Sequence, residues 1–301
     1  MSTIGFIGLG NMGRPMAVNL IAAGHTVSGF DVFEGARDAA SEAGVSIAES
    51  AAEVAREADV VITMLQNGSQ VHEVYRGADG TDGVLAAARP GTLFIDSSTI
   101  AVEDAIEAHR FAVAAGHRNV DAPVSGGVVG ATAGTLALMV GGSAQDFASA
   151  EPVLAAVGKR IVHCGAPGAG QAAKVCNNMI LAISMIGVSE AFVLGEKLGL
   201  TDQALFDVAS QASGQCWALT TNCPVPGPVP ASPANRDYQP GFATALMVKD
   251  LGLAAEALES TGVQAELGTL ARSLYQRFAE SGGAGLDFSA IINDIRARSA
   301  A

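Results

Sequence analysis

Thr3-Ile4-Gly5-Phe6-Ile7-Gly8-Leu9-Gly10-Asn11-Met12-Gly13 is the stretch whose reading decides the fold. A short apolar run ends in glycine, as a buried parallel strand does. Residues 11–23 follow with Met12, Met16 and Leu20 at helical spacing. Pro15 lies in the first helical turn, where its missing N–H costs little, and Gly24 stops the helix. The three glycines have separate tasks: Gly8 permits a tight strand-to-helix turn, Gly10 lets the backbone approach a pyrophosphate, and Gly13 lets helix and strand pack closely. The backbone N–H groups around Asn11, Met12 and Gly13, with the helix dipole, favour phosphate at this end. Asp31 ends the next strand, residues 25–30. A carboxylate there accepts hydrogen bonds from both hydroxyls of an adenosine ribose and repels a 2′-phosphate. The residues that follow at once, Val32-Phe33-Glu34, bring no cation. The stretch therefore predicts a dinucleotide site for NAD rather than NADP.

Outward from this turn the alternation continues. Residues 36–43 and 102–115 are patterned as helices, and residues 59–65, 92–96, 119–122, 136–140 and 160–163 as strands. Strands alternating with helices predict an α/β fold with a doubly wound, mainly parallel sheet of Rossmann type. After Gly165 the pattern changes. Residues 168–198 form a long, almost wholly apolar helical stretch, and helical patterning recurs over 202–212, 243–259, 264–280 and 288–298. The expectation is an NAD-binding domain over residues 1–165, then an all-helical domain for substrate binding and oligomerisation over residues 166–301, joined by the long helix. A helix apolar on every side is a buried one. Its own domain and a partner subunit are the two available covers, which predicts a homodimer or homotetramer. Residues 223–240 carry six prolines, a density that excludes helix and favours a stiff extended loop. That loop is either a surface connection or a functional segment.

Composition narrows the partners. Of 301 residues, 49% are hydrophobic and only 16% charged, so the chain is not a disordered one. The net charge of −13 disfavours nucleic acid and anionic membranes, and any anionic substrate needs a locally built site. Cys164, Cys176, Cys216 and Cys223 form no C-x-x-C pair, and no histidine is spaced to complete a metal site. They are expected to be unpaired thiols in a reducing compartment. No basic segment or cleavage pattern is visible before the first strand, so no signal peptide is expected. The most apolar run, residues 179–194, contains Ser184, Ser189 and Glu190 and reads as core rather than a membrane span. A cytoplasmic protein is expected.

Three further runs carry candidate chemistry. Asp121-Ala122-Pro123-Val124-Ser125-Gly126-Gly127 follows a strand and so lies on the carboxyl edge of the sheet, where doubly wound folds bind ligands. Ser125 offers a hydroxyl, and Gly126 and Gly127 offer unshielded N–H groups that suit a small carboxylate; taken alone, the run is equally a plain glycine turn. In Gly170-Gln171-Ala172-Ala173-Lys174-Val175-Cys176-Asn177-Asn178, Lys174 and Asn178 are four apart and share one helical face. Lys174 stands in a helix nearly empty of charge. Burial would lower its pKa and make it a usable proton donor and acceptor, unless its stem snorkels outward. Lys249 and Asp250 interrupt the apolar helix that begins near Phe242, either as chemistry or as a solvated patch. His25, His72, His109, His117 and His163 have no partner motif and read as structural or surface residues.

Taken together and in order, these runs resemble the β-hydroxyacid dehydrogenase family over nearly the whole chain. The resemblance implies that Lys174 is the catalytic acid/base, that Ser125, Gly126, Gly127 and Asn178 bind the substrate, and that Lys249 lies beside the nicotinamide. Leu65, Gln66 and Thr99 match positions lining the cofactor cleft; Gln66 stands where a proline is common. Ser213-Gly214-Gln215-Cys216-Trp217, Cys223-Pro224-Val225-Pro226-Gly227 and Tyr238-Gln239-Pro240-Gly241-Phe242 are similar to the branch that oxidises 3-hydroxyisobutyrate to methylmalonate semialdehyde in valine breakdown. Family members reducing tartronate, glyoxylate or succinic semialdehyde share the motifs up to Asn178. An inactive oligomeric scaffold is a further alternative, although such relatives typically lose the lysine.

Overall fold

The computed structural model describes residues 1–78 and 82–300; Ala301, the end of the expected second domain, lies outside them. The chain forms two compact units, Met1–Lys174 and Val175–Ala301.

In the first unit, strands and helices follow one another as β1 (Thr3–Ile7), α1 (Gly13–Ala22), β2 (Thr26–Phe30), α2 (Glu34–Glu42), β3 (Ser46–Ile47), α3 (Ala51–Arg56), β4 (Val60–Thr63), α4 (Gly68–Arg76) and α5 (Val84–Ala87). Then come β5 (Leu93–Asp96), α6 (Val102–Ala114), β6 (Arg118–Asp121), β7 (Val124–Ser125), α7 (Gly127–Ala133), β8 (Leu136–Gly141), α8 (Ala144–Leu154) and β9 (Gly158–Gly165). The sheet order is β3-β2-β1-β4-β5-β6-β8-β7, with β9 also beside β8. β1 pairs in parallel with both β2 and β4, so the order reverses beside the glycine turn, and such switch points are where open α/β sheets bind ligands. The sheet is parallel as expected from β3 to β6. At its far side β8 runs antiparallel to both β6 and β7.

Both faces of the sheet are covered, which is why β4 is apolar or buried at every position. Ile4, Phe6, Val60 and Ile62 pack with Met16 and Leu20 of α1 on one side. Ile7, Val61 and Phe94 pack with Val54, Tyr75 and Ala105 on the other. The helices that the hydrophobic pattern did not single out are short or polar, and side chains cap several of them. Ser50 accepts from the Glu53 amide, Asn67 from the Gln70 amide and Ser143 from the Asp146 amide.

The long helix α9 (Ala169–Lys197) begins in the first unit and continues into the second. Among the described residues it is the one helix long and apolar enough to cross a membrane, a longer apolar span than residues 179–194 suggested. The second unit continues with α10 (Asp202–Ala209), α11 (Trp217–Thr220), α12 (Thr244–Thr261), α13 (Glu266–Phe278) and α14 (Ile291–Ser299). Its core joins Ala182, Met185 and Ile186 of α9 to Met247, Leu251, Tyr275 and Phe278. A side chain at Gly268 of α13 would press on Met179 of α9, so glycine there allows a close crossing. Gly262 ends α12 in the left-handed conformation.

The proline-rich segment is no mere surface strap. Cys223, Val225 and Ser232 are buried, and Cys223 and Val225 pack with Phe192 of α9 and Ile292 and Ile295 of α14. The fully buried Asp287 carboxylate accepts from Asn222 Nδ2 (3.2 Å), from the Gly241 and Phe242 amides (3.0 and 3.1 Å) and from Ser289 Oγ (2.7 Å). Tyr238 donates its hydroxyl to the Pro224 carbonyl at 2.8 Å.

Candidate active site

The three glycines of the first turn differ in what surrounds them. Gly8 has φ +97°, and a Cβ on it would overlap the Met64 carbonyl. A Cβ on Gly13 would overlap the Gly8 carbonyl and lie 2.9 Å from the Phe6 ring. A Cβ on Gly10 would meet nothing within 4 Å. Gly8 and Gly13 are thus demanded by the fold, whereas the space over Gly10 is open. No side chain caps α1 and its first turn holds no acidic residue, which leaves the helix start suited to an anion.

Asp31 also secures this turn. Its Oδ2 accepts from the Leu9 amide at 2.7 Å and its Oδ1 from the Phe33 amide at 2.9 Å, and each oxygen retains lone-pair capacity for a ribose hydroxyl. Arg37, three residues beyond Glu34, donates to the Asp31 and Val32 carbonyls at 2.7 and 3.2 Å. The neighbouring strand ends supply the rest of the edge. The Leu65 amide after β4 donates to Ser98 Oγ after β5 at 2.8 Å, and the Gln66 amide donates to Gln70 Oε1 at 3.1 Å. Thr99 follows Ser98 in the same β5–α6 turn. The edge thus presents an uncapped helix start at α1 and, beside it, the Asp31 carboxylate at the end of β2.

Ser125 is half-buried on β7, opposite Ala137 of β8. Gly126 and Gly127 follow with φ +133° and +60°, a backbone only glycine adopts with ease. Lys174 is 6% exposed and Asn178 2%. Both lie within α9, one turn apart on one face, so the lysine does not snorkel into solvent.

In the second unit, Asn178 Nδ2 donates to Asp250 Oδ2 at 2.5 Å, and Asn178 Oδ1 accepts from Asn177 Nδ2 at 3.0 Å. Lys249 Nζ is 4.0 Å from Asp250 Oδ1, with a third of the lysine side chain exposed. Asp250 is buried inside α12, so the two residues are not a solvated patch. Sequence reading assigned Asp250 no partner; its signal was a charge amid apolar helical neighbours.

Two further carboxylates, Asp96 and Asp121, were given no role of their own from the sequence. Asp96 ends β5, fully enclosed, and accepts from Thr63 Oγ1 at 2.7 Å and the Ser98 amide at 3.2 Å. Burial raises its pKa from 3.8 to about 6, although these donors pull the other way. Asp121 ends the adjacent strand and is also raised by burial. Three of the five histidines meet backbone: Nε2 of His72, His117 and His163 lies 2.8 to 2.9 Å from the carbonyls of Asp104, Leu85 and Gly142 respectively. All four cysteines are free thiols, and burial pushes Cys223 up to about 11.

Comparison with known proteins matches both units. Residues 3–165 fit the family model described as the NAD binding domain of 6-phosphogluconate dehydrogenase. Residues 168–295 fit that described as NAD-binding of NADP-dependent 3-hydroxyisobutyrate dehydrogenase. The chain is 59% identical over 298 residues to a probable 3-hydroxyisobutyrate dehydrogenase of Mycobacterium tuberculosis, covering 99% of each. It is 46% identical to an NAD-dependent L-serine dehydrogenase of Pseudomonas aeruginosa, covering 97% of each. A solved structure of Mycobacterium tuberculosis 3-hydroxyisobutyrate dehydrogenase with L-serine superposes with a TM-score of 0.93 at 57% identity, over 98% of this chain and 99% of that one.

Proposed function

The chain belongs to the NAD-dependent β-hydroxyacid dehydrogenase family, and from that premise we propose that it oxidises 3-hydroxyisobutyrate to methylmalonate semialdehyde, a step of valine breakdown. It is an oxidoreductase whose cofactor is NAD. The observation that carries the reading is the pair Lys174 and Asn178: a buried amine and a buried carboxamide on one face of an otherwise apolar helix.

NAD, when bound, supplies the acceptor for the hydride that leaves the carbinol carbon. Lys174, as the free amine, takes the hydroxyl proton, and in the reverse direction its ammonium returns it. Asn178, held by Asp250, orients the hydroxyl. Ser125 and the backbone N–H groups of Gly126 and Gly127 bind the substrate carboxylate, which supplies locally the attraction that a chain of net charge −13 lacks globally. Asn11, Met12 and the three glycines carry the pyrophosphate, Asp31 the ribose, Leu65, Gln66 and Thr99 the walls of the cofactor cleft, and Lys249 contacts the nicotinamide end. The enzyme works as a soluble, cytoplasmic homodimer or homotetramer. In support, Ile180 and Leu194 of α9 and Leu267 and Leu270 of α13 are each more than half exposed in the single chain, an apolar surface a partner subunit would cover. A monomer by light scattering refutes that assembly.

L-serine is the second reading. It has the same carboxylate and the same terminal carbinol, with an ammonium where 3-hydroxyisobutyrate has a methyl, and one relative is named for its oxidation. The deciding experiment follows NADH absorbance with both enantiomers of 3-hydroxyisobutyrate and L-serine and, in the reducing direction, with methylmalonate semialdehyde beside tartronate semialdehyde, glyoxylate and succinic semialdehyde, each compound compared within its own direction. The highest kcat/KM is expected for 3-hydroxyisobutyrate and, in reduction, for methylmalonate semialdehyde. A higher value for any other compound replaces the substrate, and no turnover with any of them favours a scaffold.

A further inference from the structure

Asp121 opens a run whose serine and glycines are assigned to the substrate, yet its own side chain turns the other way, into the fold. It is 2% exposed. Its Oδ1 accepts from the Gly168 amide at 2.7 Å, and its Oδ2 accepts from the Gln171 amide at 2.9 Å. These are amides at the start of α9, a helix end whose first N–H groups have no partner within the helix. A carboxylate about 50 residues away therefore caps the helix that carries Lys174, and its charge complements the helix dipole. The backbone is shaped to admit it. A Cβ on Gly170 would lie 2.7 Å from Asp121 Oδ2, and one on Gly141 would lie 2.8 Å from the Ala169 amide nitrogen while overlapping Asp121 Oδ1.

Gln171, fully buried and one turn before Lys174, extends the connection. Its Nε2 donates to the Ser98 carbonyl at 2.7 Å, and its Oε1 accepts from the Ile100 amide at 3.3 Å. Ser98 in turn takes the Leu65 amide on its hydroxyl. The ends of β5 and β6 and the first turn of α9 are thus joined by one run of buried hydrogen bonds, which the part-buried Leu65–Ser98 bond extends to the end of β4.

We propose that Asp121 and Gln171 are positioning residues for Lys174: they hold the start of α9 in fixed register against the Leu65 and Ser98–Thr99 turns, so that the lysine meets the cofactor edge at one place. This rests on the reading of Lys174 as acid/base. Buried polar runs of this kind specify one arrangement because every alternative leaves a donor or acceptor unpaired. Small misplacement of a catalytic group far from the mutated site costs up to about 10²-fold in rate.

The test uses Gln171→Met, which keeps volume and removes both side-chain bonds, and Asp121→Asn, which can satisfy only one of the two amides. Two quantities are read: steady-state kcat with NAD affinity from NADH fluorescence, and backbone amide exchange of residues 98–100 and 168–174 in the chain without cofactor. The expected result is faster exchange in both segments and a kcat lower by about 10- to 100-fold, with NAD affinity changed far less. Unchanged exchange, or faster exchange with kcat within about twofold of the parent, overturns the proposal. Should Asp121→Asn not fold, Gln171→Met decides alone. Lys174→Ala is measured alongside: if it retains turnover, the acid/base reading fails, whereas the exchange data still judge the connection itself.

Discussion

Asn178 Nδ2 and Asp250 Oδ2 are 2.5 Å apart, a bond between residues 72 apart in sequence with both side chains almost wholly enclosed. Asp250 gives the Asn178 carboxamide its orientation, since one of the amide hydrogens is committed to the carboxylate. Replacing Asp250 with Ala leaves that donor buried and unsatisfied, at a cost of about 1–3 kcal/mol. Expressed in the site, this lowers kcat/KM for the hydroxy acid by roughly 5- to 100-fold while KM for NAD stays near its parent value. Asn178→Ala should cause a loss of similar size, and the double variant should lose much less than the product of the two. Additive losses would mean that the pair does not act as a unit.

Lys174→Ala should reduce kcat by roughly 10²–10⁴-fold if the lysine is the acid/base, with NADH binding by fluorescence intact. An active variant removes Lys174 from the chemistry.

Gly10 and Gly13 should fail in different ways. A methyl at Gly10 enters open space, so Gly10→Ala should fold with nearly unchanged Tm and bind NAD poorly, because the methyl stands where the pyrophosphate must approach. A methyl at Gly13 overlaps the Gly8 carbonyl, so Gly13→Ala should be strongly destabilised before any cofactor is added. Equal Tm losses in the two variants would contradict this division.

Asp96 sets a pH dependence whose sign is fixed by burial. In the folded chain its carboxyl titrates at about 6, above the ordinary 3.8. Between those values the folded state holds a proton that the unfolded state has released. The group's contribution to stability is therefore full below about pH 4 and is lost as pH rises through about 6. Asp96→Asn keeps an oxygen to accept from Thr63 and Ser98 and removes the charge. Its Tm should gain on the parent as pH rises from 4 to 7, and the difference should level off above that range. A difference independent of pH would rule out a raised carboxyl.

Much of the fold could be read from local pattern because the interactions that make it are local. The glycine turn, the apolar strands of the first unit and the long helix are dictated by periodicity and by backbone conformation at Gly8. The helices α3, α4 and α8 were passed over although a polar side chain, Ser50, Asn67 or Ser143, caps the start of each; α3 spans only six residues, too few for a helical period to stand out. The antiparallel direction of β8 could not be read, since a strand's alternation is the same in either direction. The candidate site divides along the same line. Lys174 and Asn178 are four apart on one helix, so their shared face is implied by helical geometry alone.

The chain's amino acids alone thus determined the glycine turn Gly8–Gly13, the carboxylate that ends the next strand at Asp31 and a lysine–asparagine face, each a matter of local pattern. Only the tertiary structure decided that Asp250 meets Asn178, that Asp121 caps the lysine's helix and that Asp96 is enclosed beside Thr63. Those pairings join segments separated by 33 to 72 residues. They form because packing brings together and desolvates groups that must then satisfy one another, a condition that spacing along the chain does not express.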